Sequence, residues 1–377
     1  MNGSAGDDLR VLAWAPGDNP YFRILRAELA AAGIRVADHS LLRCLFGRYD
    51  LWHVQFPERG VAGGRLEARA RALAFLVMVL RCRLGGRRIV WTVHNLRSHE
   101  GRHPGLERRM LGFFAARVDL AVSLTETGRR LALAAWPGLA GAAQRVIPHP
   151  HYRSWYRNRV TRRAARTALG LPETARVVLL VGKMRPYKDP VGTVRTFRRL
   201  EDPGARLVLA GEPTSPEMRR DIEAAAEGDP RILLRLEEFP DAAAELYMNA
   251  ADLVALPYLD ILNSGSAIWA LSFARPILLP ERGAMAELEA LVGPDWVRLF
   301  SGELDAETLD RALAWAQARR PAPPPLDPLD PARIAAAHAA AFRAACAAPR
   351  AAGGPRAAGG ASEAPRGEPV ADGTARR

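Results

Sequence analysis

Short runs of apolar residues alternate with longer stretches in which apolar positions recur every three or four residues, and the alternation continues along most of the chain. An apolar run bounded by polar residues or glycine predicts a buried strand, whereas recurrence at i, i+3 and i+4 predicts a helix with one covered face. Strands are therefore expected at residues 10–15, 51–54, 88–93 and 120–123, with helices at 19–32, 66–84 and 105–116. The first helix carries Phe22, Leu25 and Leu29 on one face and ends at Gly33, which suits a helix C-terminus because glycine tolerates positive φ. Such alternation builds a parallel sheet covered by helices on both sides.

The pattern breaks between residues 147 and 175, where Ile147-Pro148-His149-Pro150-His151-Tyr152 precedes a short basic helix. It then resumes with strands at 177–181, 206–210, 232–236, 253–256 and 276–279 and helices at 190–200, 216–227, 242–250 and 265–273. Two doubly wound α/β domains are expected, at residues 1–150 and 176–320, with 151–175 as linker. A C-terminal extension at 321–346 holds a proline-rich bend and an alanine-rich helix. Residues 347–377 contain almost no large apolar side chain, a composition expected to stay disordered.

At 377 residues the chain has material for two cores. Its 53 Lys and Arg against 41 Asp and Glu favour phosphate-bearing partners, namely nucleotides, anionic lipid surfaces or nucleic acid. Arginine pairs such as Arg108-Arg109 and Arg198-Arg199 are explained equally by composition on solvated helix faces. Nucleic acid is not an expected partner, since no reader motif or interleaved aromatics accompany the charge. Cys44, Cys82 and Cys346 are odd in number and widely spaced, which suits a reducing compartment. No secretory signal is visible at the N-terminus, and the longest apolar run, 72–80, is under half the roughly 20 residues a membrane span needs. A cytoplasmic location follows, with peripheral membrane contact possible through the 66–84 helix, where Arg69, Arg71, Arg81 and Arg83 flank an apolar stretch. Burial of that helix against a sheet explains the apolar part as well and is slightly preferred.

Two stretches carry candidate chemistry. Val177 to Val181 is an apolar strand followed by Gly182, Lys183, Arg185 and Lys188, three cations within six residues. Ligands of open α/β sheets bind at the carboxyl ends of strands, so this loop would offer a diphosphate both a compact ammonium and a forked guanidinium. Taken alone it could equally be a basic solvated loop. The second stretch, Asn263-Ser264-Gly265-Ser266, follows a strand and opens an apolar helix, where free N–H groups can hold an anion. A serine N-cap explains part of it without any ligand.

Taken with Tyr49 to Glu58, Thr92-Val93-His94-Asn95, His99-Glu100 and Val146 to Tyr152, these stretches resemble the retaining GT-B glycosyltransferases, particularly family 4 and its bacterial exopolysaccharide-type relatives, over residues 10–345. The resemblance implies two Rossmann-like domains facing a cleft, with an N-terminal acceptor domain and a C-terminal nucleotide-sugar domain. It implies transfer of a sugar from a nucleotide-diphosphate sugar, as co-substrate, to a glycan or lipid-linked acceptor, with retention and with neither metal nor other cofactor. Lys183, Arg185, Lys188 and the turn of Asn263, Ser264, Gly265 and Ser266 would then hold the donor diphosphate. His94 would be the catalytic cleft histidine, and His53, Glu58, Asn95, His99 and Glu100 would shape the acceptor side. One departure stands out: Ile261 and Trp269 occupy the places of the family's two glutamates, for which Glu281 and Glu287 could substitute. Their absence also allows a catalytically inactive GT-B binding or scaffold subunit.

Overall fold

The structure, a computed structural model, describes residues 9–15, 19–98 and 101–349. The expected disorder of residues 347–377 falls almost wholly outside these. In chain order the first half contains β1 (Arg10–Trp14), α1 (Pro20–Ala31), β2 (Arg35–Asp38), α2 (Leu41–Phe46), β3 (Leu51–Val54), α3 (Arg65–Leu84), β4 (Arg88–Val93), α4 (Pro104–Ala115), β5 (Leu120–Ser123), α5 (Glu126–Ala135) and β6 (Ala143–Val146). The second contains α6 (Arg162–Leu169), β7 (Arg176–Val181), α7 (Pro190–Arg198), β8 (Ala205–Ala210), α8 (Pro216–Ala226), β9 (Ile232–Arg235), α9 (Asp241–Ala250), β10 (Leu253–Ala255), α10 (Gly265–Ser272), β11 (Ile277–Pro280), α11 (Met285–Val292), β12 (Val297–Phe300) and α12 (Ala306–Ala316). A last helix, α13 (Pro331–Ala347), follows.

Each half is a parallel six-stranded sheet, ordered β2-β1-β3-β4-β5-β6 and β12-β11-β10-β7-β8-β9. Interior strands such as β4 and β7 are buried almost throughout, as expected of strands covered on both faces. The edge strands β2, β6 and β12 went unread in the sequence because only one side of each is covered, leaving Arg35-Val36-Ala37-Asp38 and Ala143-Gln144-Arg145-Val146 largely exposed.

Residues 151–175 are more than a linker, because α6 belongs to the second half. Arg166, 1% exposed, donates to Asp252 (2.7 Å), to the Ala250 carbonyl (3.1 Å) and to the Ala175 carbonyl (2.8 Å). The extension crosses back: Ile334, Ala335, Ala339 and Phe342 of α13 join Val11, Leu25 and Val90 in a core of the first half. That return path sets His338 against His53 of β3, with ring centroids 6.2 Å apart, and neither side chain is exposed.

Burial holds both histidines neutral, His338 with its pKa pushed down to about 4 and His53 well below the ordinary value. A histidine depressed in the fold binds its proton more readily when unfolded, so its share of stability is complete above pH ~6.5 and drains as pH falls toward 4. For His338 this amounts to about 3 kcal/mol. Urea midpoints should therefore fall between pH 7 and pH 4.5, and H338M should flatten that slope. An unchanged slope in H338M would assign the acid sensitivity elsewhere.

Candidate functional site

The carboxyl ends of both sheets border a cavity of about 930 Å³. Its walls come from both halves: Phe56, Glu58, His94 and Asn95 from the first, and Arg185, Ile261, Asn263 and Gly265 from the second.

Backbone contact sets the second wall. β7 leads into Gly182 (φ 86°) and β8 into Gly211 (φ 143°). A Cβ on Gly211 would lie 2.3 Å from the Gly182 carbonyl oxygen, an approach open only to glycine. Beyond the contact the loops stay zipped, Met184 N donating to the Glu212 carbonyl (2.8 Å) and Thr214 N to the Met184 carbonyl (3.0 Å). Arg185 emerges from this zipper into the cavity wall, and no described carboxylate pairs with it. Lys188 folds beneath, buried, its Nζ donating to the Val181 carbonyl (3.0 Å) beside Gly182 and Ser266. Burial first, and then the neighbouring Arg185, push its pKa down to about 8. Lys183 behaves differently from the expectation. Exposed and drawn off by Glu212 across the zipper (3.3 Å), it is not part of the cavity wall.

Ser264 is a working N-cap for α10: its Oγ accepts from Ala267 N (3.0 Å) and meets the Tyr258 hydroxyl (2.7 Å). The next residue, Gly265, opens the helix directly on the cavity, where a side chain would come within 3.5 Å of His149 and Tyr152. The helix N-terminus therefore faces a space that also holds Arg185. Asn263 ties the halves together, accepting from Thr125 Oγ1 (3.3 Å) and donating to the His94 carbonyl (3.5 Å). Ile261 lines the cavity, whereas Trp269 is turned into an aromatic stack with Tyr156 (5.7 Å).

On the first wall, His94 stacks on Phe56 (4.7 Å) and meets Tyr21 edge-on (5.0 Å), with Nε2 against Gln55 Oε1 (3.3 Å). Burial, reinforced by His149, pushes its pKa down to about 3, so it is a neutral ring. Glu58, on the turn Pro57–Val61, is half-buried and accepts from Asn95 Nδ2 at a long 3.4 Å. Its carboxyl is pushed up to about 7, first by burial and further by nearby Glu107, against the pull of Asn95 and Arg59.

His53 must be moved out of the acceptor site. β3 is buried along its whole length, and the His53 ring is held by Thr92 Oγ1 (2.8 Å) and Phe342 (5.1 Å), away from the cavity that opens past the strand end. His99 and Glu100 lie outside the described residues. Glu287 offers nothing to a sugar, because its carboxylate accepts from Glu126 N (2.9 Å) and Thr127 N (2.5 Å), capping α5 across the interface. Glu281 is held by Ser301 Oγ (3.0 Å) outside the cavity wall.

Sequence reading missed Tyr21 and His149 as wall residues. Tyr21 is buried with its hydroxyl unpartnered, and nothing but its helical position marked it. His149 lay within the His-Pro stretch taken as a boundary; its Nδ1 donates to the Pro150 carbonyl (2.7 Å), leaving Nε2 to meet the Tyr152 hydroxyl (3.2 Å). Among the described residues no group of three or more His, Cys, Asp or Glu could hold a metal ion.

No protein-family model matches the chain. It is 33% identical over 310 residues to a GDP-mannose:glycolipid 4-beta-D-mannosyltransferase of Xanthomonas campestris pv. campestris, covering 81% of this chain and 82% of the relative. A shorter stretch of 101 residues, 26% of this chain and 20% of the relative, is 38% identical to a D-inositol 3-phosphate glycosyltransferase of Mycobacterium tuberculosis. Among solved structures, sucrose-phosphate synthase from Thermosynechococcus elongatus superposes with a TM-score of 0.63 at 18% identity, over 90% of this chain and 94% of that one. Anabaena HepE in complex with UDP-glucose gives 0.59 at 14% identity, over 88% and 94%.

The Glu287 cap joins a carboxylate of the second half to the positive end of a helix in the first. Removing it in E287A should cost about 1 kcal/mol and lower the melting temperature by roughly 2–4 °C, with E287Q intermediate. A melting temperature equal to wild type in E287A would show that the contact contributes nothing.

Proposed function

The chain belongs to the GT-B glycosyltransferases, in the family of the Xanthomonas mannosyltransferase, and we propose that it transfers a sugar from a nucleoside-diphosphate sugar to a lipid-linked glycan. One observation carries the donor assignment: two neighbouring cations have no described carboxylate partner, Arg185 on the cavity wall that Gly265 of α10 also lines, and Lys188 buried behind it beside Gly182 and Ser266. A diphosphate placed there would restore the charge balance that burial denies Lys188, and fixed positive charge would stabilise it as it leaves, without calling on a metal. Gly265 is the turn residue left to meet a phosphate, since Ser264 is committed to its cap, Ser266 to the Tyr258 hydroxyl and Asn263 to the interface. Hexose and GDP are favoured as donor parts by the relative's name alone.

Retention and a place in family 4 follow from the sequence resemblance, but the glutamates that accompany that course are Ile261 and Trp269 here. The relative is named for a 4-beta-D-mannosyl product. From an α-linked donor, a β-linked product requires inversion, and we adopt inversion as the working course. An inactive binding subunit remains the competing reading motivated by the same two positions.

The acceptor side points to a membrane surface. α3 buries Ala68, Ala72, Phe75, Met78, Val79 and Cys82, while Leu66, Leu73, Val77, Leu80 and Leu84 form a second stripe exposed at helical spacing. Leu73 is 63% and Leu84 85% exposed, and α2, packed on α3, adds Phe46 at 76%. Exposed Arg65 and Arg69 lie on the same helix, which supplies Arg71 to the cavity wall. An apolar stripe edged by arginine suits anionic lipid headgroups and would bring a lipid-linked acceptor to the cavity mouth. No helix of the described residues is long and apolar enough to cross a membrane.

Replacing Arg185 and Lys188 together by alanine should abolish sugar transfer and the thermal stabilisation given by nucleoside diphosphate, while the unliganded melting curve stays close to wild type. Turnover undiminished in that variant would remove both residues from the donor site, and absence of transfer by wild type across common nucleotide sugars would favour the inactive subunit. Flotation with vesicles containing anionic lipid should carry the wild-type protein upward, and F46S/L73S/L80S should stay at the bottom. Equal flotation of the two would place any membrane contact on another face.

A further inference from the structure

We infer that Glu58 is the catalytic base: it takes the proton of the acceptor hydroxyl as that oxygen attacks the anomeric carbon, in a transfer that inverts configuration. The inference rests on the glycosyltransfer reading and its inverting course above, and adds the residue that takes the proton. An inverting displacement needs a proton acceptor on the acceptor side of the cavity, away from the cations that receive the leaving group. Among the described residues the histidines and carboxyl groups lining that side are His94, His149, His103, Glu107 and Glu58.

His94 is unsuited because its Nε2 faces Gln55 and its ring is wedged between Phe56 and Tyr21 in an environment that holds it neutral to about pH 3. His149 uses Nδ1 on the Pro150 carbonyl and Nε2 on the Tyr152 hydroxyl. His103 spends Nε2 on the Gly63 carbonyl (2.9 Å). Glu107 is 4% exposed and accepts at Oε1 from Ser98 N at 2.6 Å. Among the described residues Glu58 remains: its carboxylate accepts from its own backbone N–H and, at a long 3.4 Å, from Asn95 Nδ2, and the half-buried side chain lines the cavity.

Its surroundings suit the task. Burial and then Glu107 on α4 raise its proton affinity, its own backbone N–H, Asn95 and Arg59 lower it, and Arg71 of α3, paired with Glu67 (2.6 Å), shares the wall. The balance leaves the carboxyl titrating at about 7, basic enough to accept a hydroxyl proton and still mostly ionised slightly above neutrality. The step balances: the acceptor O–H proton goes to Glu58, the acceptor oxygen bonds to the anomeric carbon on the face opposite the leaving group, and the C–O bond to the diphosphate breaks. Both electrons of that bond leave with the nucleoside diphosphate beside Arg185 and Lys188.

The test compares wild type with E58Q, which keeps shape and hydrogen-bonding capacity. Wild-type kcat/KM should rise about tenfold per pH unit up to about 7, and the product should carry the anomeric configuration opposite to the donor's, read by NMR. E58Q should lose roughly 10²–10⁴-fold in kcat/KM and lose the acid limb, yet keep wild-type stabilisation by nucleoside diphosphate, which shows an intact fold and donor site. The inference is overturned by a retained configuration in the wild-type product, by E58Q activity within threefold of wild type, or by survival of the acid limb in E58Q. Wild type inert toward every donor would instead sink glycosyl transfer itself, and the inference with it.

Discussion

A contact between two glycines is the constraint on which the donor wall depends. Where β7 and β8 end, the Gly182 carbonyl and the Gly211 backbone approach so closely that no side chain fits between them, and both residues adopt positive φ. That approach lets the following loops pair through Met184, Glu212 and Thr214, which turns a basic loop into a fixed wall. The zipper separates three cations that look alike in sequence. Lys183 is neutralised by Glu212 at the rim, Arg185 reaches the cavity, and Lys188 is folded into a dry notch against the Val181 carbonyl. Keeping an ammonium in such a notch without a counterion is unfavourable, as its lowered pKa records, and the cores of the two sheets must supply the difference. Stored strain of this electrostatic kind is relieved by an anion, which is why the arrangement reads as a binding site.

The opposite wall is tuned the other way. Around it, beside Arg59, Arg71 and Arg102, are aromatic rings, neutral histidines and two carboxyl groups whose proton affinity is raised by burial. One cavity therefore offers fixed positive charge from one sheet and basic oxygen from the other. Asn263 and Glu287 keep the two in register, since each spans the interface with side-chain hydrogen bonds to the first half. These polar bonds to a helix cap and a loop carbonyl are the kind that can break and re-form as the halves move, unlike the apolar seam made by α13.

The interior of the fold was legible because strands buried on both faces must be apolar throughout, and β4 and β7 have no other reading. Edge strands were not, since one covered side leaves no pattern in four residues such as Arg35-Val36-Ala37-Asp38. In the site, the basic loop and the α10 turn were visible as motifs only together, because each alone has an ordinary structural use while both follow strand ends of one domain. What could not be read was direction. His53 and His94 both lie at or near strand ends, yet α13 closes over one and the cavity opens at the other, a difference set by a helix almost 300 residues away in sequence. Glu287 was equally opaque: a carboxylate on an amphipathic helix looks alike whether it faces a ribose, water or the N-terminus of a neighbouring helix.

The missing glutamate pair acquires a physical meaning in this light. Ile261 presents a hydrocarbon surface to the cavity where an acceptor of hydrogen bonds was expected, and Trp269 is committed to an aromatic stack. Neither can stabilise positive charge on a sugar ring from the donor side, so a front-face displacement would have little to support it there. A displacement from the opposite face asks for something else: a proton acceptor on the far wall and a well-neutralised leaving group on the near one. The cavity offers both, in Glu58 and in Arg185 with Lys188 buried behind it. On this view the two substitutions mark a change of stereochemical course on a conserved architecture and do not signal a lost activity. Under that proposal the proton transfer belongs to the Glu58 wall and the leaving group to the Arg185 wall, on the same pair of sheets.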